Sequence, residues 1–199
     1  MATQRKPFPL LFLPRAEPFR LSGDTVFLRP PERGDYEDWA TLRAGSRDFL
    51  TPWEPSWPPD ALSRASYRAR LTRYADDWRT DQGYNFFMFR ADERLVGGIG
   101  LSNIRRGVAE TASLGYWVGE PFARRGMMSA ALPLVVDFAF NRLRLHRLEA
   151  ACLPHNEGSR AVLLRTGFQQ EGYARRYLQI DGKWQDHLLF AILREDWRS

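Results

Sequence analysis

The chain has 199 residues, 44% hydrophobic and 27% charged, with a formal net charge of +5 and a pI near 9.7. This fits one globular domain with a substantial core, and no second domain is expected. Cys152 is the only cysteine, which excludes an intrachain disulfide and leaves a cytoplasmic chain as the default, while the basic balance suits an anionic ligand such as nucleic acid, ribosomal RNA or a phosphate-rich cofactor.

Residues 1–23 read as an N-terminal arm ahead of a single domain over 24–199. Its apolar stretch "PFPLLFLPR" is too short to span a bilayer, is bracketed by Pro7, Pro9 and Pro14, and lacks a small-residue cleavage signal. "DTVFLRP" alternates as a strand, and "ERGDYEDWATLRA" then shows helical spacing in Tyr36, Trp39, Ala40 and Leu42. "FLTPWEPSWPPD" is too rich in proline for a regular element. It is a candidate substrate-facing loop through Trp53 and Trp57, whose rings could equally plug helix ends. An Arg-rich amphipathic helix follows from Leu62 to Trp78. Two strands joined by a turn at Ala91 to Arg94, and a third over "AETASLGYWVG", are expected to be antiparallel neighbours.

The next helix, from about Arg125, has Met128, Leu132, Val135, Val136 and Ala139 on one face and a bend expected at Pro133. "HRLEAACLP" is a short buried strand, and "NEGSRAVLLRTG" a helix capped by Asn156 and closed by Gly167. The Asp-Gly pair in "IDGKW" predicts a hairpin with a primed turn. The mixture gives an α+β, or mixed α/β, three-layer domain.

The chemistry concentrates at "EPFARRGMM", where a strand runs into a helix start. The unpaired amides there, through Met127 and Met128, can receive phosphate; Gly126 allows close backbone approach and Arg124 and Arg125 add charge. The same residues also describe an ordinary helix start. Together with "LPHNEGSRAVLLRTGFQQEGYARRYLQIDGKWQDHLL" and "FLTPWEPSW", this segment resembles the GNAT superfamily of acyl-coenzyme A N-acetyltransferases. Within it, the chain is similar to the RimJ/RimL-type ribosomal-protein alanine N-acetyltransferases, over roughly residues 24–197.

The resemblance implies a GNAT-like fold: a central, mostly antiparallel sheet, splayed between its fourth and fifth strands and flanked by helices. It implies acetyl-CoA as cosubstrate, no metal, and direct attack by an amine in a ternary complex, where positioning does most of the work. The diphosphate would lie on Arg124, Arg125, Gly126, Met127 and Met128, and pantetheine would pair with main-chain groups near Trp117 and Val118. An N–H near Val118 would polarise the thioester carbonyl. Asn156 would hold the pantetheine arm as well as capping its helix. Ser159 would donate a proton to the departing sulfur, or simply satisfy an amide. Trp53, Trp57 and Tyr177 would contact the acceptor.

The chain departs from the family pattern in several places. In the family's Q/R-x-x-G-x-G/A loop only Gly126 matches; Ala123 and Met128 hold the first and last positions, predicting a tighter loop near Met128. Leu163 stands where a tyrosine acid is common, and Ser113 where a glutamate is common. Glu110, Glu120 and Asp186 remain as bases acting through water. An α-amine, with a pKa of about 7.7–8.0, needs less help than a lysine near 10.4, so the expected acceptor is a protein N-terminus, a ribosomal protein among the candidates. Two alternatives stand beside it. One is a small amine, polyamine or antibiotic, drawn by Glu54 and Asp60. The other is a non-catalytic CoA- or RNA-binding protein using Arg clusters at 142–147 and 175–176 with Tyr173 and Tyr177. His146, His155 and His187 fit no metal-ligand spacing. Monomer and homodimer are both compatible, and no membrane partner is expected.

Overall fold

The computed structural model describes residues 19–197, so the expected arm lies outside the described residues up to residue 18. Eight strands form one sheet: β1 (Leu21–Ser22), β2 (Val26–Arg29), β3 (Tyr84–Arg90), β4 (Leu95–Arg105), β5 (Thr111–Val118), β6 (Arg147–Cys152), β7 (Gln169–Ile180) and β8 (Lys183–Leu193). Their order is β1-β2-β3-β4-β5-β6-β8-β7, antiparallel throughout except for the parallel pair β5–β6. β1 shows that part of the expected arm belongs to the domain. Leu21 and Ser22 pair with β2, and the Phe19 ring packs on Trp78, Phe86 and Phe138.

The unbroken apolar run "FFMF" in β3 reflects burial on both faces. Phe86 and Met88 join the core under α4 (Met127–Asp137), whereas Phe87 and Phe89 join a second core with Trp39 and Tyr67. That second core lies beneath α1 (Tyr36–Gly45) and α3 (Arg64–Arg79); a short α2 (Arg47–Leu50) follows α1. The Ser63 hydroxyl accepts from the Ser66 N–H at 3.1 Å and sets the start of α3.

α4 buries Met128, Ala131, Leu132, Val135 and Val136, the stripe expected from their spacing. Pro133 sits inside this helix without ending it. The departure from α-helical bonding comes later, in a π-turn over Phe138–Arg142 closed by the Leu143 N–H on the Phe138 carbonyl. α5 (Glu157–Thr166) follows β6. The β7–β8 turn has φ of 43° at Asp181 and 74° at Gly182, as a primed two-residue turn requires.

β5 and β6 pair only over Thr111–Ser113 and Arg147–Glu149. Beyond that point each keeps its outer partner, β4 for β5 and β8 for β6, and the two diverge. Counted from Val26, these are the fourth and fifth strands, so the expected splay is present in a mixed α/β fold.

Candidate active site

The gap between β5 and β6 is lined by main chain. At the ends of β5, the Glu110 carbonyl accepts from residues 146 and 147 on the β6 side, and the Gly119 N–H donates to Val96 on the β4 side. Backbone groups of a regular strand alternate in direction. Tyr116 and Val118 therefore turn their N–H and C=O groups into the gap, while those of Trp117 face β4. This corrects the expectation for Trp117. Its side chain also points away, onto the α1/α3 face, where a Cβ at Gly98 would come within 2.5 Å of the indole nitrogen.

At the head of α4 the chain takes left-handed φ values of 58° at Arg124 and 77° at Gly126, which is the N-cap. The first intrahelical donor in this turn is Ala130, bonding the Gly126 carbonyl at 3.0 Å. The amides of Met127, Met128 and Ser129 are thus without intrahelical acceptors, in the arrangement that binds an anion. A methyl group at Gly126 would meet no heavy atom within 4 Å, so the space before the cluster is open. Arg124 and Arg125 are exposed beside it. The Met128 side chain is buried in the core, so only its amide is offered to the cluster.

Across the gap, the Asn156 Oδ1 caps α5 by accepting the Ser159 N–H at 3.0 Å, leaving the side-chain amide nitrogen available. The Ser159 Oγ lies 2.8 Å from the Tyr116 hydroxyl. Tyr116 was not anticipated from sequence. Burial pushes its pKa up to about 12, so it keeps its proton at neutral pH. Cys152 is buried at the end of β6, and burial pushes its pKa up.

On the α1/α3 face, a cavity of about 470 Å³ opens between the sheet and the loop at 54–62, with Gly115 and Tyr116 in its floor. Arg43 gives Glu54 two hydrogen bonds of 2.8 and 2.6 Å, and the Trp57 Nε1–H donates to the same carboxylate at 2.8 Å. The Arg43 guanidinium lies over both the Trp57 and Trp117 rings. The hairpin tip holds the loop from the other side, through the Asp181 N–H on the Glu54 carbonyl at 3.0 Å.

The remaining sequence candidates scatter. Trp57 lines the cavity, whereas Trp53 packs on His155 with ring centroids 5.3 Å apart. Tyr177 is exposed beside His187, outside the cavity lining. Glu110 sits at the far end of β5 from the gap, its carboxylate bound by Arg106 and the Gly107 N–H, and anchors a turn instead of serving as a base. Asp186 accepts from the Tyr173 hydroxyl and from the Arg176 N–H at 2.8 Å. Both bonds hold its pKa below the usual carboxylate range, the wrong direction for a base. Glu120 alone stays near the gap, two residues beyond Val118, with its side chain in solvent. Of the acidic residues that suggested a polyamine, Glu54 is already paired and Asp60 accepts from the Ser66 hydroxyl. Of the basic residues that suggested RNA, Arg147 is neutralised by Glu149 and Glu171.

Comparison with known proteins adds three relatives and a family. The acetyltransferase (GNAT) domain family matches residues 25–169. The chain is 40% identical over 177 residues to a probable N-acetyltransferase, YjcK, of Bacillus subtilis (strain 168), covering 88% of this chain and 98% of that protein. It is 34% identical over 179 residues to the [ribosomal protein uS5]-alanine N-acetyltransferase of Escherichia coli (strain K12), covering 89% and 92%. Its fold superposes on Mycobacterium smegmatis RimJ in complex with CoA-disulfide with a TM-score of 0.86 at 33% identity, covering 92% of this chain and 91% of that one.

Proposed function

The chain belongs to the GNAT acetyltransferase family, and on that premise we propose that it acetylates the N-terminal α-amine of a protein, a ribosomal protein of the kind its relatives modify. It is an acetyl-CoA-dependent N-acetyltransferase of the RimJ/RimL ribosomal-protein type. The observation that carries the α-amine reading is the charge of the acceptor cavity. Glu54, the one carboxylate among its described lining residues, is held by Arg43 and Trp57, and Arg70 adds a further cation. Such a wall repels a polyamine and offers no base to a protonated lysine. Neutralising a lysine near 10.4 instead of an α-amine near 7.9 demands about 3.5 kcal/mol more, so the site favours an amine that arrives already neutral.

When bound, acetyl-CoA supplies a thioester whose carbonyl carbon accepts the amine and whose sulfur leaves as a thiol. The amides at the head of α4 fit its diphosphate, with Arg124 and Arg125 adding charge. The gap-facing Val118 N–H would polarise the thioester carbonyl as its oxygen gains charge. The Asn156 amide nitrogen is available to the arm that carries the thioester. The Ser159 hydroxyl, 2.8 Å from that of Tyr116, would turn its proton toward the departing sulfur, while the proton lost by the attacking amine passes to solvent.

Incubation with acetyl-CoA and peptides bearing free or blocked N-termini tests the reading. CoA release with free α-amines alone is expected; release with spermidine, or with blocked lysine peptides, would replace it. The rate at low peptide concentration should rise with pH through the peptide amine's own pKa of about 8 and then stay level to about pH 10. Tyr116, with its pKa raised to about 12, still holds its proton there.

A further inference from the structure

The acceptor cavity contains two guanidinium groups in unlike states. Arg43 has its charge matched by Glu54. Arg70, presented to the same cavity by α3, joins no ion pair among the described residues. Its Nη1 donates to the Tyr74 hydroxyl at 3.1 Å, and its guanidinium carbon lies 5.4 Å from the centroid of the Trp39 ring. Its Nε is buried with no hydrogen-bond partner among the described residues. The Arg43 Nε is likewise without a partner, but there the charge is already met.

A guanidinium cannot shed its proton to escape such a setting. A buried donor without an acceptor is unfavourable, and an unmatched charge more so. A carboxylate entering the cavity would match the charge through charge-assisted bonds from the accessible edge of the planar fork. The cavity has one unmatched positive charge and the Glu54 carboxylate on its rim, which suits a single negative charge better than a dianion. Gly115 and Tyr116 on the floor place the reacting end of the acceptor in the same enclosure. A volume of about 470 Å³ lies in the range of small-ligand sites, so it admits only the first few residues of a chain.

We propose that Arg70 is an acceptor-specificity residue that takes the side-chain carboxylate of an Asp or Glu within the first few residues of the protein N-terminus being acetylated. The proposal rests on the α-amine reading above and narrows it to acidic N-termini.

The test uses the full-length enzyme and peptides with a free α-amine, identical except for Asp or Asn at the second, third or fourth position. With wild-type enzyme, kcat/KM should favour the Asp peptide at one of these positions by about fivefold to tenfold, as expected for a charge-assisted pair in a partly enclosed cavity. Arg70→Gln should bring that ratio to within about twofold of unity, and Arg70→Lys, which keeps the charge and loses the fork, should leave an intermediate ratio. The ratio is read within each variant, so a change in overall activity does not disturb it. Wild-type ratios near one at all three positions would overturn the proposal while leaving the α-amine reading intact. A preference that survives Arg70→Gln in an enzyme that still binds CoA would also overturn it. Turnover of none of the peptides, with CoA still bound, would instead remove the α-amine reading on which the proposal stands.

Discussion

The gap between β5 and β6 and the cavity under the 54–62 loop share Tyr116 as a common wall, yet they are built from different material. The gap is lined by amides and carbonyls: the Tyr116 and Val118 main chain on one side, the head of α4 at one end, the capped start of α5 on the other side. The cavity is walled by side chains, with Arg43, Glu54, Trp57 and Trp117 locked to one another. A surface made of main chain persists through sequence change, because every residue carries the same amide. This explains how "ARRGMM" keeps a cluster of free amides suited to an anion although only its glycine agrees with the family loop. A wall of side chains changes with each substitution, and the proposed preference among acceptors rests on that wall.

Perturbations that act on one region and spare the other sharpen this contrast, and any that cross over would break it. Ser159→Ala, at the junction, should lower kcat by about 100-fold with little change in CoA affinity, since it removes a proton donor and leaves the Asn156 cap acceptor in place. Glu54→Gln should lower kcat/KM for a peptide by about 30-fold. It should also lower stability by about 2 kcal/mol in a denaturant titration, the 3–5 of a fully buried pair discounted for partial exposure. Its CoA affinity, read by calorimetry, should stay at the wild-type value. Gly126→Val should weaken CoA about tenfold or more, because a β-branched residue at φ 77° is strained and its side chain enters the open space. Replacing Arg124 and Arg125 together by Ala should weaken CoA only about threefold, an effect that fades in salt. If the paired arginines proved to matter more than Gly126, the view of the gap as a main-chain site would fail.

Features set by neighbouring residues were legible in the sequence. The Asp181-Gly182 turn, the Asn156 cap and the apolar stripe of α4 are each decided within a few positions. Features decided by direction or by distance along the chain were harder to read. Trp117 lies in the right strand, but strand alternation turns the main chain of its neighbours, and not its own, into the gap. Tyr116 could not be paired with Ser159 from sequence, because the two are 43 positions apart and only the packing of α5 on the sheet brings their hydroxyls to 2.8 Å. Glu110 lies close in sequence to the gap-lining strand, yet at its opposite end. Arg70 is one of several arginines spread along α3, and only the packing of that helix distinguishes the one facing inward from those in solvent.

The divergence of β5 from β6 also implies a pattern in time. Along β5, the Trp117 amide is sheltered in the pairing with β4, while those of Tyr116 and Val118 have no strand to bond among the described residues. In deuterated water, exchange along this strand should therefore alternate, slow at 117 and rapid at 116 and 118, and saturating CoA should slow the rapid positions.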